Sequence, residues 1–229
     1  MKTTIKTLLM WLAIAMPVMA NDIYVTQSGD NLDLDITQDG QNNVAGNSTT
    51  AMSLTGSTMT FSISQVGNSN VIEAIINGST YTGNINLTGG SNTVDLDCAA
   101  NNCDTVSMSI DVTGSSADIT VDLGSTADTS DYTGTIDITS NNTETFTLTA
   151  NAAAADADID ITNTALGSSL GNTSNYTQSG DGDINGHSLT HSHTGEGATI
   201  DISQSGVYDN KLVLTTSGDN ADIDITQSD

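Results

Sequence analysis

Aliphatic and polar residues alternate one for one along short stretches of this chain, and the stretches resemble one another. Leu32-Asp33-Leu34-Asp35-Ile36-Thr37-Gln38 recurs as Ala198-Thr199-Ile200-Asp201-Ile202-Ser203-Gln204 and again as Ala221-Asp222-Ile223-Asp224-Ile225-Thr226-Gln227. Weaker copies are Phe61-Ser62-Ile63-Ser64-Gln65, Ile85-Asn86-Leu87-Thr88, Ile110-Asp111-Val112-Thr113, Ile136-Asp137-Ile138-Thr139 and Ile159-Asp160-Ile161-Thr162. A period of two marks a strand with one face buried and one wet. The hydroxyl residue closing each copy stands at 37, 64, 88, 113, 139, 162, 203 and 226, and six of the seven intervals lie between 23 and 27 residues. The longer interval holds a partial copy, Asn175-Tyr176-Thr177-Gln178.

Turn residues follow each copy, as in Gln27-Ser28-Gly29-Asp30-Asn31 and Thr88-Gly89-Gly90-Ser91-Asn92. Gly, Asn, Asp and Ser either tolerate positive φ or hydrogen-bond their own backbone. A second alternating strand comes next, for example Val94-Asp95-Leu96, Ile119-Thr120-Val121-Asp122-Leu123, Phe146-Thr147-Leu148 and Leu212-Val213-Leu214. One repeat is therefore strand, turn, strand, turn in about 24 residues, a unit that cannot bury its aliphatic face until copies stack. The pattern predicts an all-β fold, a β-solenoid of stacked strand–turn–strand repeats. A sandwich of hairpins also suits evenly spaced strands, but gives no reason for residue-by-residue likeness between them.

Composition supports a thin core. Aromatic residues make up 3% of the chain, and Thr, Ser, Asn, Asp and Gly fill the spaces between aliphatics. Residues 1–20 read as a signal peptide: Lys2 and Lys6, an apolar run over 8–15 holding Trp11, Pro17, then Val18-Met19-Ala20 before the cut. That run is too short to stay as a membrane anchor, and no second one follows. The expected mature chain, residues 21–229, is a single repeat domain of the extracellular space. It keeps one lysine, Lys211, no arginine, and all 28 acidic residues. Phosphate binding needs Lys or Arg, so nucleic acid is excluded as a partner, as is an anionic membrane surface. Divalent cations and basic surfaces on a host or matrix remain. Cys98 and Cys103, four residues between them, read as a disulfide in an exported chain.

The Gln-x-Gly-x-x-Asn turn resembles the curlin repeat of curli fibre subunits. It is carried by Gln38/Gly40/Asn43 and Gln65/Gly67/Asn70, by Gln27/Gly29/Asn31 with the asparagine one residue nearer and Gln204/Gly206/Asn210 with it one residue farther, and by Gln178/Gly180 at the first two positions. Gln27 and Gln38 are eleven apart, similar to the two glutamines of one curlin unit. The resemblance covers roughly residues 22–76 and 176–229, whereas 77–175 holds no glutamine. It implies a secreted structural subunit of amyloid-like fibres for biofilm matrix or adhesion, whose main partner is another copy of itself, head to tail. Amide ladders, open strand edges and heterologous end contacts argue in the same direction. A non-polymerising surface adhesin or calcium-binding solenoid is the alternative.

Chemical motifs are few. Asp181-Gly182-Asp183-Ile184-Asn185-Gly186 matches the first half of a calcium loop. Asp181, Asp183 and Asn185 are therefore candidate calcium ligands, beside the reading of an ordinary solvated turn; no cofactor is required. His187, His191 and His193 share a strand face, and we read them as solvated imidazoles on the outer surface rather than metal ligands. Gly167-Ser168-Ser169-Leu170-Gly171 has the spacing of a nucleophile elbow, but no helix pattern follows it. Asp156, Asp158 and Asp160 lie on one strand face with no basic partner. Thr58/Thr60 and Thr145/Thr147/Thr149 are not in register from repeat to repeat. The chain is expected not to be an enzyme.

Overall fold

The computed structural model describes residues 21–98, 105–123, 131–151, 157–165, 172–179, 188–195, 197–205 and 210–228. Thirteen strands follow in order: β1 (Asn21–Ile23), β2 (Thr26–Ser28), β3 (Leu32–Asp39), β4 (Asn42–Ala45), β5 (Met52–Cys98), β6 (Thr105–Leu123), β7 (Asp131–Asn151), β8 (Ala157–Ala165), β9 (Asn172–Ser179), β10 (Ser188–Thr194), β11 (Ala198–Ser205), β12 (Lys211–Ser217) and β13 (Asp222–Ser228). All strand pairings are parallel and in register over whole strands, apart from one shift between Gly114 and Ser116. The fold is a β-solenoid with a spacing of about 25 residues, as the repeat predicts. β5, β6 and β7 are long because the chain stays extended round its corners, so one strand supplies both faces of a coil.

The two faces enclose a narrow core. On the first face Ile36 pairs with Ile63, and Ile85 with Ile110, all buried. On the second, Val94 pairs with Ile119, and Ile119 with Phe146, also buried. Stacking identical shapes lets each aliphatic side chain fill the gap left by its neighbour, at about 1.5–3 kcal/mol for each one buried. Where a bulky ring enters, the next rung is small. A Cβ on Gly83 would lie 2.5 Å from the Phe61 ring, and that ring stacks on Tyr81 with centroids 5.1 Å apart.

Corners are set by glycine columns. A Cβ on Gly89 would sit 2.3 Å from the carbonyl oxygen of Gly67, and one on Gly67 would sit 2.6 Å from that of Gly40. No side chain fits such a backbone approach. One coil is longer than its neighbour because residues 46–51 turn outward, closed by an Asn47–Thr50 bridge, with Asn47 Oδ1 accepting from the Thr49 and Thr50 amides at 2.9 Å.

The phase differs from the sequence reading. Thr37 does pair with Ser64, but Ser203 and Thr226 lie on the second face, in β11 and β13. Thr162 pairs with Asp137 rather than Thr139. Leu212-Val213-Leu214, taken as a second strand, belongs to the first face through its pairing with β10. The two halves of a coil carry the same aliphatic–polar alternation, so likeness alone does not say which half a copy occupies.

Candidate functional site

Three features stand apart from the aliphatic core: stacked amides at the corners, acidic rungs outside, and a histidine pair inside. The amides come first. Gln38 closes the first face, Gly40 makes the corner, and Asn43 opens the second face pointing inward; Gln65, Gly67 and Asn70 repeat this one rung on. Gln65 Nε2 donates to Gln38 Oε1 at 2.6 Å, and Asn43 Nδ2 to Asn70 Oδ1 at 3.2 Å. Each amide also holds a corner carbonyl: Asn43 donates to Val66 O at 2.8 Å, Gln65 to Val71 O at 3.3 Å, and Gln38 to Asn21 O. The asparagine ladder runs further than the glutamine motif. Asn21 donates to Asn43 at 3.4 Å, and Asn70 to Asn92 at 2.9 Å. It ends where Ala117 takes the next rung beside Asn92.

Gln178, Gln204 and Gln227 stand at the opposite corner. Gln204 is in register with Gln178 and Gln227, and Gln227 Nε2 donates to Gln204 Oε1 at 2.8 Å. Gln27, at the end of β2, occupies the same corner and is half-buried. Asn31 is exposed and has φ of 60°, so it serves its turn rather than a buried ladder. Asn210 reaches Ser228 O at 3.3 Å in an exposed position. Gly180 and Gly206 lie outside the described residues, as do Asp181, Asp183, Asn185 and His187. Cys98 is disulfide-bonded; Cys103, the other cysteine of the chain, is also outside them. Among the described residues, no group of three His, Cys, Asp or Glu is placed to hold a metal ion.

Acidic residues occupy neighbouring rungs on the outside. Asp97 pairs with Asp122 and Asp201 with Asp224. Partial burial and the facing carboxylates raise three groups above the usual range: Glu73 through burial and Asp95, Asp95 through burial, Asp97 and Asp118, and Asp122 through burial, Asp97 and Asp95.

His191 and His193 overturn the reading of solvated outer imidazoles: they are 0% and 1% exposed. The signal was available, because Leu189, His191 and His193 share a parity and Leu189 is an inward residue. Strand phase, not residue polarity, decides the face. Tyr176 reaches across the core to His191, its hydroxyl 3.0 Å from Nδ1. Phe146, Tyr176, His191 and His193 form a line of rings, with centroid separations of 5.3, 5.1 and 6.2 Å. His191 Nε2 and both nitrogens of His193 have no hydrogen-bond partner. Burial, with His193 adding to it, lowers the pKa of His191 to about 4; burial lowers that of His193 too.

No protein-family model, curated protein or solved structure matches this chain.

Proposed function

We propose that this chain is a secreted structural subunit that stacks head to tail into curli-like extracellular fibres. The observation that carries the reading is the match between its first and last layers. Tracing the register from β1 through β4, β5, β6, β7, β9 and β11 to β13 puts Asp22 and Asp222 in one column. The layers then read Asp-Ile-Tyr-Val-Thr-Gln-Ser at 22–28 and Asp-Ile-Asp-Ile-Thr-Gln-Ser at 222–228. A second copy set on β13 would place Ile23 over Ile223, Val25 over Ile225 and Gln27 over Gln227.

The first face supports the same junction. Asp33 and Lys211 share a column, so the sole lysine of residues 21–229 would meet a carboxylate of the next copy. Among the described residues β13 pairs with β11 alone and β1 with β4 alone, leaving a strand edge at each end. Ile225 and Tyr24 are each 47% exposed in those edge layers. Unlike ends that fit each other propagate without closing. Outer carboxylates oppose the approach, and salt or divalent cations such as calcium relieve that repulsion.

The test is thioflavin-T fluorescence with electron microscopy on residues 21–229, in low salt and with millimolar calcium. Seedable fibrils, faster with calcium and slowed by Lys211→Glu, are expected. A β-rich chain that stays monomeric in both buffers would overturn the fibre reading and leave a surface-binding solenoid.

A further inference from the structure

The histidine pair has no part in stacking, and its position is costly. His191 lies in register between Ile161 and Leu214, and His193 between Asn163 and Thr216. Across the core stand Ser174 and Tyr176 of β9 and Ala198, Ile200, Ile202 and Gln204 of β11, all buried. Of the charged residues on the flanking strands, Asp158 and Asp160 of β8 pair in register with Ser188 and Thr190 rather than with the histidines, and Lys211 of β12 pairs with Ser188. Asp201 of β11 is exposed, as are Asp222 and Asp224 of β13. Tyr176 is thus the one ionisable side chain facing the pair among those described. A neutral imidazole is tolerated in such a column; an imidazolium, with no carboxylate to pair it, is not.

We propose that the His191–His193 pair is an acid-operated latch, whose protonation opens the coil of β10 and its neighbours while the coils of β5 and β6 stay closed. In the opened strand the imidazoles face water and take up protons, and the contact between the Tyr176 hydroxyl and His191 Nδ1 is broken. Opening is then driven by proton uptake. The folded pKa of His191 lies near 4 and the free value at 6.5. The folded strand therefore binds fewer protons between these limits, and stability falls as pH falls from 6.5 towards 4. The local opening constant should rise about 20-fold between pH 7 and pH 5 from His191 alone. The carboxylates of β5 and β6 move the other way. Their folded values are raised, so acid relieves their repulsion. The latch rests on burial and pairing alone, and holds whether or not the chain polymerises.

Hydrogen exchange read by mass spectrometry on the full folded chain, at pH 7 and pH 5 and corrected for intrinsic rates, tests it. Segment 188–217 is expected to lose protection about 20-fold at pH 5 while 52–98 does not, and His191→Leu with His193→Val is expected to abolish the difference. Equal behaviour of the two segments, or the same acid opening in the double variant, would overturn the latch. A proton NMR titration of the unsubstituted chain needs no variant to fold. His191 should stay neutral above pH 6 and His193 should titrate below its free value, and titration of His191 above pH 6 in the folded state would overturn the proposal.

Discussion

Two stretches of the same solenoid use the same backbone for opposite ends. Around β5 and β6, the inward positions are Ile85, Leu87, Ile110 and Val112 on one face and Val94, Leu96, Ile119 and Val121 on the other, each at most 1% exposed. Around β10 the corresponding rung is Leu189, His191 and His193. Strand pairing, register and burial are equal; the side chains differ. In the first stretch the proton-sensitive groups are outside, where acid relieves the repulsion among its carboxylates. The second is the reverse. A solenoid lets this happen because each rung contacts only its neighbours, so a weak coil does not dissolve a strong one.

Substitutions test this contrast at single side chains. The largest effect is expected from Ile110→Ala, which removes a fully buried side chain from an isoleucine column and should cost about 3–4 kcal/mol, read as a lower urea midpoint by circular dichroism. Asn70→Leu should cost about 2 kcal/mol. It takes the Asn70 amide from the Thr88 carbonyl and from Asn92 Oδ1 and leaves Asn43 Nδ2 with Val66 O but without Asn70 Oδ1, and hydrogen exchange should show the loss spreading to both neighbouring corners. At β10 the sign changes. His193→Val removes two buried nitrogens that have no partner and should stabilise segment 188–217 by about 1 kcal/mol at pH 7. The smallest effect is that of Asp95→Asn. It should gain a few tenths of a kcal/mol at neutral pH and nothing in acid, where the carboxyl is already protonated because its folded pKa is raised. Urea melts at pH 7 and pH 3 compare the two.

Much of this architecture is legible in the sequence because strand alternation and the recurring period fix both burial parity and stacking. Ile36, Ile63, Ile85 and Ile110 announce a column without any structure. The face of each copy is less legible: residues 32–38 and 198–204 look alike yet lie on opposite sheets, since both halves of a coil need the same alternation. The amide ladder was half visible. Glutamine drew attention to Asn43 and Asn70, whereas the spacing that predicts the ladder is Gly-x-x-Asn, which also finds Asn92 through Gly89. The histidines were misplaced by weighing their polarity above the parity of Leu189. Gly83 could not be foreseen, because its reason is the Phe61 ring on the adjacent rung.

In the proposed fibre, copies join end to end with the columns continued. Thr26 and Thr226 are exposed and share one column through the registers of both ends. Neighbouring strands lie about 4.8 Å apart, within reach of a disulfide, and no cysteine among the described residues is free to compete. Mixing a Thr26→Cys chain with a Thr226→Cys chain under assembly conditions, oxidising, and identifying the cross-linked peptides by mass spectrometry measures the junction directly. Mixed disulfides between the two variants, well above either self-pair, are the expected result. Self-pairs, or no cross-link between chains that have assembled, would contradict a head-to-tail stack in this register.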